Sequence, residues 1–408
     1  MLSFEAARAK VIEIVSARSK PAHTEKIDLI SSPAGALGRA LAEDILADRD
    51  YPPFDRSIRD GYALRAADGA HAGSTLRVIG ESRAGFSFEG SIRAGECVRI
   101  LTGAALPRGA DAVVMQEYAR RDGNTIVIEQ AISAGQFLVV AGSELKSGSV
   151  VLKKGARIGY AELAMAAQVG QAQTSVYKRP RVVIISTGDE VVEAGAPPGP
   201  FQIRNSNSVS LAAQVTLAGG EALQLGNVTD DEAKLRARIA EGLKADALIV
   251  SGGVSVGDYD FVEDVLRDLG AEFFFDTVAI RPGKPAVFGW CQGKPVFGLP
   301  GNPVSTMVTF ELFAAPAIEI LSGAQPQPLA IFKAKLRTSV SEKAAITHFL
   351  PARVDWAHGE PGVEVLLWGS SGDIAPVAAG NCFVVVQQSR LKMHAGEMAD
   401  VLLQRGRF

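Results

Sequence analysis

Between residues 3 and 18 the apolar side chains fall at Phe4, Ala7, Val11, Ile14 and Val15. That three-and-four spacing places them on one face of a helix, with Ser3 in the capping position. From about 48 to 143 the texture changes. Short β-rich runs at 75–79, 111–115 and 125–128 alternate with Gly, Asp and Pro turns, which predicts an all-β module. A helix near 160–169, ended by Gly170, leads into a third texture. From 181 to 322, compact apolar runs of strand length at 181–185, 246–250 and 295–299 alternate with helical segments at about 206–218, 231–243, 260–269 and 303–321. Thr229-Asp-Asp-Glu232 has the form of a capping box, and Asn302-Pro303 that of an N-cap followed by a first-turn proline. Alternating β and α segments predict a mostly parallel, doubly wound sheet. Gln325-Pro-Gln-Pro328 reads as a linker, and the rest of the chain returns to β texture in the runs at 330–335, 363–367 and 382–386.

Composition narrows the class. At roughly 150 residues per domain, 408 residues make a multidomain chain. With 47% apolar and 21% charged residues it is expected to fold throughout. A formal charge of −3 and no basic stripe argue against a nucleic-acid partner. No apolar run is expected to approach the ~18 residues of a membrane span, and the first residues carry charge where a signal peptide needs an apolar stretch. Three cysteines (Cys97, Cys291, Cys382) without a CxxC pair fit a reducing, cytoplasmic setting. The five histidines are scattered, with no zinc-ligand spacing, so metal chemistry here must use oxygen ligands. Glycine is abundant, at 42 residues, which directs attention to where the glycines cluster.

They cluster at strand ends. In a doubly wound sheet, ligands bind beyond the carboxyl ends of the strands. Three strands run into Ser186-Thr-Gly-Asp-Glu190, Ser251-Gly-Gly-Val-Ser-Val-Gly-Asp-Tyr-Asp260 and Leu299-Pro-Gly-Asn-Pro303. Glycines let backbone N–H groups point into a concavity that holds phosphate or another oxyanion. Arg281-Pro-Gly-Lys-Pro285 adds two cations. Asp189, Glu190, Asp258, Asp260 and the Asp230-Asp231 pair supply hard oxygen ligands suited to Mg²⁺. Together these point to chemistry on a phosphate ester or anhydride, the alternative being tight turns with helix caps. GxGxxG and GxxxxGK are absent from the αβ region. Gly253-Val-Ser255-Val-Gly257 matches the GxSxG elbow of serine hydrolases, with His348, His358 and His394 downstream. Against that reading, a Gly-Gly precedes the motif, the helix starts only near Asp260, and the histidines fall in the β-rich tail.

These motifs resemble the molybdopterin molybdenumtransferase family, of the MoeA and gephyrin E-domain type. The residues that carry the resemblance are Phe54-Asp-Arg-Ser-Ile-Arg-Asp-Gly-Tyr-Ala63, Thr102-Gly-Ala-Ala-Leu-Pro107, Thr187-Gly-Asp-Glu190, Ser251-Gly-Gly-Val-Ser-Val-Gly257, Arg281-Pro-Gly-Lys-Pro285 and Gly298-Leu-Pro-Gly-Asn-Pro-Val-Ser305, in the family's order along essentially the whole chain. The resemblance implies a multidomain α/β plus β protein: an elongated spine domain from 1–47 and 144–178, an inserted β-rich module at 48–143, a doubly wound αβ domain similar to molybdopterin adenylyltransferase at 179–326, and a small C-terminal β-barrel at 327–408. It implies a Mg²⁺-dependent enzyme that takes adenylylated molybdopterin and molybdate, cleaves the phosphoanhydride, releases AMP and leaves molybdenum on the dithiolene. It further implies a homodimer whose active site is shared between subunits, and contacts with molybdopterin adenylyltransferase and apo-molybdoenzymes.

Carried over by position, Asp60, Glu190, Asp230, Asp260 and Lys284 match catalytic positions, with Glu190, Asp230 and Asp260 as the metal ligands. Thr102, Asp189, Ser251, Gly252, Gly253, Ser255, Arg281, Pro300, Gly301, Asn302 and Pro303 match the substrate-binding set. The chain departs from the family's pattern in places. Arg59 and Arg281 stand where the family has Met and Lys, and Val139-Val-Ala-Gly-Ser-Glu144 lacks an expected Arg pair. The segment Ser370-Ser-Gly-Asp-Ile-Ala-Pro376 matches only loosely. The missing cations keep open a non-catalytic cofactor-binding or carrier paralogue, and molybdate and tungstate are too alike for the sequence to separate.

Overall fold

The computed structural model describes residues 1–20, 23–254, 261–357 and 359–407. The chain forms two compact units: one from Met1–Glu43, Lys154–Tyr160 and Gln173–Phe408, the other from Asp44–Lys153 and Ala161–Ala172.

The first unit opens with helix α1 (Phe4–Arg18). Phe4, Ala7, Val11, Ile14 and Val15 are buried as their spacing requires, and Ser3 Oγ accepts the Ala6 N–H at 3.2 Å. Arg8 is buried on the same face. Strand β1 (Thr24–Asp28) belongs to this unit too.

In the second unit, strands β2 (Gly61–Leu64), β3 (Thr75–Ser82), β4 (Glu96–Ile100), β5 (Ala112–Met115), β6 (Ala119–Asp122) and β7 (Thr125–Ile128) form one sheet in the order β5-β2-β4-β3-β7-β6. Only β3 and β4 run parallel. Successive side chains of a strand point to opposite faces. Tyr62, Leu64, Cys97, Ala112 and Val114 fill one core, while Ala63, Val98, Ile100 and Val113 fill another. The sheet is therefore covered on both faces at β2 and β5, which read as apolar runs, while β3 and β7 keep the alternation of strands with one buried face. Helix α2 (Tyr160–Gln168) ends before Gly170, which has φ of 75°.

Returning to the first unit, β8 (Gln173–Tyr177) pairs antiparallel with β1. The αβ region follows: β9 (Arg181–Thr187), α3 (Ser206–Leu217), β10 (Glu221–Val228), α4 (Glu232–Gly242), β11 (Ala247–Ser251), α5 (Val262–Asp268), β12 (Glu272–Thr277), β13 (Pro285–Cys291), β14 (Lys294–Leu299) and the long helix α6 (Pro303–Leu321). The sheet order is β10-β9-β11-β14-β13-β12, with the first four parallel and the last two antiparallel. The chain leaves β9 toward β10 on one side and returns to β11 on the other. The strand order thus reverses between β9 and β11, where a crevice opens beyond the carboxyl ends. Three strands were not evident in the apolar pattern. β10 is an edge strand of mostly half-buried residues, and β12 and β13 extend the sheet antiparallel.

Two caps differ from expectation. Asp231, not Thr229, caps α4, accepting the Lys234 N–H at 3.0 Å. Asn302 occupies the N-cap of α6, but its side chain makes no capping bond.

Helix α6 is long and apolar enough to cross a membrane by length and composition, contrary to the expectation that no such stretch exists. Of its apolar window, 83% is buried inside the fold. Pro316 has no N–H to offer Leu312 O, the carbonyl four residues back. Residues Phe310–Ala314 widen into a π turn, and the Arg8 guanidinium of α1 donates to Leu312 O at 2.9 Å. An arginine on an apolar helix face is explained by a proline more than 300 residues away.

The last strands, β15 (Ile331–Leu336), β16 (Thr347–Asp355), β17 (Gly362–Val365), β18 (Cys382–Val386) and β19 (Met398–Leu403), pair in the order β16-β17-β15-β19-β18 and back to β16. This closes a five-stranded barrel around Leu336, Leu350, Val354, Val363, Val384 and Val401. Closure removes the open edges that would otherwise invite pairing with another chain.

Candidate functional site

A cavity of about 670 Å³ opens at the carboxyl ends of β9, β11 and β14. Ser186, Thr187, Gly188 and Glu190 enter it from β9, Ser251 through Val254 from β11, and Pro300 through Pro303 from β14. All three glycine-bearing strand-end loops of the sequence therefore converge on one concavity. Gly252 has φ of 96°, and a Cβ built on it would meet Thr187 Oγ1 at 2.8 Å and Thr187 O at 2.9 Å. Only glycine lets these two loops touch.

The floor is polar. Asn207, 8% exposed, donates from Nδ2 to Ser251 Oγ at 2.9 Å and to Gly301 O at 2.8 Å, tying the β11 and β14 loops together. Asn205 Oδ1 accepts from Ser208 N at 3.0 Å and from Ser186 Oγ at 3.2 Å. Thr187 Oγ1, Asn205 Nδ2 and Asn207 Oδ1 are buried without a hydrogen-bond partner among the described residues. Buried polar atoms are normally paired, and each one left unpaired costs roughly 1–3 kcal/mol. Such a cost is characteristic of a site that acquires its partners with a ligand or ordered water.

Of the residues singled out in the sequence, Glu190, Asp230, Ser251, Gly252, Gly253, Pro300, Gly301, Asn302 and Pro303 line this one cavity. Asp189 lies beside it, its Oδ1 accepting the Asp230 N–H at 3.1 Å. That bond draws the end of β10 toward the β9 loop. Arg281 and Lys284 are exposed and do not line the cavity, although Pro285 of the same run does. Ser255 and Asp260, and with them Asp258 and most of the GxSxG motif, lie outside the described residues. Among the described residues no cluster of three or more His, Cys, Asp or Glu stands at metal-binding distances.

Asp60 and Thr102 belong to the second unit and meet there. Thr102 N and Thr102 Oγ1 both donate to Asp60 Oδ1, each at 2.7 Å. The backbone bond, with help from the hydroxyl, holds the Asp60 carboxyl below its ordinary pKa. A depressed folded-state pKa means this contact favours the fold above the usual carboxylate range and is lost as pH falls through the lowered value. Thr102→Val removes the hydroxyl donor, so the Asp60 pKa read by carboxyl NMR should rise. An unchanged value would show that the hydroxyl contributes nothing.

Two contributors to the cavity escaped the sequence reading. Ile203 through Asn207 run into the first turn of α3, and Gly372 and Ile374 arrive from the C-terminal region, where Ser371 O accepts the Val304 N–H at 3.0 Å. Asn205-Ser-Asn-Ser208, a run of short polar side chains at the start of a helix, was the available signal for the first. The second lies in residues 370–376, which match the family pattern only loosely, and it reaches the cavity through tertiary packing.

Family models cover nearly the whole chain: the MoeA N-terminal region (domain I and II) matches residues 2–170, a Probable molybdopterin binding domain matches 183–320, and the MoeA C-terminal region (domain IV) matches 333–404. The chain belongs to the MoeA family. It is 36% identical over 411 residues to a molybdopterin molybdenumtransferase of Haemophilus influenzae, covering 98% of each chain. It is 35% identical over 396 residues to the Bacillus subtilis protein of that name, covering 95% of this chain and 91% of the relative. Among solved structures, a Pyrococcus horikoshii molybdopterin biosynthesis MoeA protein is 32% identical, with a TM-score of 0.77 over 100% of both chains.

Against that MoeA background, the position of the expected Arg pair can be placed. Val139 pairs antiparallel with Arg56, whose guanidinium is held by Glu144 at 2.8 Å, and Val140 is exposed.

Proposed function

We propose that this chain is a molybdopterin molybdenumtransferase that accepts adenylylated molybdopterin and molybdate, cleaves the phosphoanhydride, releases AMP and leaves molybdenum on the dithiolene. The observation that carries this reading is the convergence of three glycine loops and two carboxylates, Glu190 and Asp230, on one cavity at the strand-order reversal. Backbone N–H groups of Gly253, Val254, Gly301 and Asn302 hold the phosphate, with Lys284, next in sequence to the lining residue Pro285, assigned to it as a cation. The ligand brings its own sulfurs, which agrees with a cavity whose described lining contains no cysteine.

Mg²⁺ fits the donor set in one form only. The described residues supply two cavity carboxylates, and Mg²⁺ is commonly bound by one or two carboxylates together with substrate phosphates. Glu190 and Asp230 would hold it, with Asp260 as the third ligand expected from the resemblance. When bound, the ion neutralises charge on the anhydride.

The reading extends to the assembly. We assign the four-domain arrangement given above, a cytoplasmic location and a homodimer in which Asp60 of one copy and the αβ cavity of its partner serve one site. Molybdopterin adenylyltransferase and apo-molybdoenzymes are the natural donors and acceptors of its ligand. A second reading, a carrier that binds without turnover, draws support from valines at 139 and 140 where a cationic grip is expected.

An AMP-release assay with adenylylated molybdopterin, molybdate and Mg²⁺ separates the two. Stoichiometric AMP supports the enzyme; tight binding without AMP supports the carrier. Refolding Asp60→Ala and Asp230→Ala chains together tests the shared site. Random pairing makes half of the dimers mixed, each with one intact site, so about a quarter of wild-type activity should return. No recovery despite verified mixing would reject the shared site.

A further inference from the structure

The opposite end of the αβ sheet, where its strands begin, carries a second concavity, of about 510 Å³, lined by His23, Glu25, Arg39, Lys178, Arg179, Arg181, Glu221, Lys244, Ala245 and Asp246. β9 begins here at Arg181 and ends in the functional cavity at Thr187. At about 3.3 Å per residue, the strand separates the two by roughly 20 Å. In a protein of net charge −3, Arg39, Lys178, Arg179, Arg181 and Lys244 face only three carboxylates.

Structural duties account for some of these groups. Arg39 pairs with Glu25 and donates to Tyr177 O at 2.7 Å. Asp246 pairs with Lys294 at 3.6 Å and accepts the Arg181 N–H at 2.8 Å. The side chains of Lys178, Arg179, Arg181 and Lys244 have no ion pair or hydrogen bond among the described residues. Arg179 is half-buried in that condition. Cations that serve only solubility stand exposed on convex surface, whereas a half-buried guanidinium normally has an acceptor.

Their backbone is fixed. Lys178 N donates to His23 O at 2.7 Å, Pro180 O accepts the Glu221 N–H at 2.8 Å, and Arg181 enters the sheet. Lys178-Arg179-Pro180-Arg181 is thus a rigid run that sets three cations at the rim of a concavity, with Lys244 joining from the turn before β11. Glu221 is the one lining carboxylate with no structural partner among the described residues, and it opposes an anion.

We propose that this cleft is an anion site, distinct from the functional cavity, that takes a compact diphosphate-type group, free or borne on a nucleotide. Guanidinium forks match paired phosphate oxygens in geometry as well as charge, which a scatter of lysines does not. The site is too small for a polymer and too cationic for a neutral metabolite.

Calorimetry with pyrophosphate at low ionic strength tests it, in a Gly252→Ala background that removes the functional cavity as a competing site. Binding should persist in that background and weaken on the order of tenfold in Lys178→Ala/Arg179→Ala. Arg179→Lys, which keeps the charge and perturbs the fold least, should still weaken binding severalfold. Glu221→Gln should strengthen it. ADP binding as tightly as pyrophosphate identifies a nucleotide-borne group; pyrophosphate alone identifies the free anion. No binding in the Gly252→Ala background, or affinity indifferent to Arg179→Lys, overturns the proposal. Unchanged thermal unfolding of each variant secures the comparison.

Discussion

Glu319→Ala should lower the stability of the protein by about 3–5 kcal/mol, the scale for removing one partner from a buried ion pair. Glu319 is fully buried on α6. Its Oε1 accepts from Arg405 Nη1 at 2.7 Å and lies 3.7 Å from Arg157 Nη2, and its Oε2 accepts the Gln327 N–H at 2.8 Å. Arg405 also forks onto Glu311, at 2.9 and 3.1 Å. One carboxylate therefore joins the end of the chain, the linker after α6 and the 154–160 segment to a single helix. Its loss strands Arg157 and the Gln327 amide and leaves Arg405 with half its anionic partners. Urea unfolding reads the effect as a lower midpoint at unchanged slope. A loss below about 1 kcal/mol would place the pair with exposed surface bridges.

That cluster marks a limit of sequence reading. Glu311 and Glu319 sit eight residues apart on a helix with no other charged residue and could have been read as solvent-facing. Their partners come from residues 157 and 405, and no local pattern announces contacts of that range. The same holds for Arg8, whose role becomes clear only once Pro316 is seen to free Leu312 O. Where local rules act alone, the sequence was legible. The α1 face, the β9, β11 and β14 runs, and the helices after them follow from spacing. The three strand-end loops stood out because glycine has few reasons to cluster after a buried strand. β10 was missed because it is an edge strand of half-buried residues and lacks a clean apolar run. Within the cavity, Gly252, Gly253, Gly301, Glu190 and Asp230 were readable, while the Asn205 and Asn207 floor was not. Asparagine before a helix ordinarily reads as a cap, and Asn205 does cap α3, which conceals its place in the cavity. The Arg281 and Lys284 pair was readable as charge but not as geometry, since both side chains stand outside the cavity lining.

The sharpest test of the cavity separates two glycines in neighbouring loops. Gly252→Ala should abolish ligand binding, by on the order of 10²-fold or more, while Gly301→Ala should leave it nearly intact. At 252 an alanine must adopt φ near 96°, which costs of order 1–3 kcal/mol for a residue with a side chain. Its Cβ would also stand 2.8 Å from Thr187 Oγ1 and 2.9 Å from Thr187 O. The hydroxyl can rotate away, but the carbonyl belongs to the end of β9 and cannot. Relief therefore requires the β9 and β11 loops to separate, which widens the cavity that both of them line. At 301 the φ is ordinary, and the nearest atom to a built Cβ is Gly252 Cα at 3.7 Å, an ordinary contact. The two variants differ by the same single methyl group at positions that line the same cavity, so hydrophobicity and bulk are matched. Titration with a molybdopterin ligand, read beside thermal unfolding, decides the matter. Equal losses would mean that bulk alone matters. A retained affinity in Gly252→Ala would mean that the two loops need not touch for the site to work.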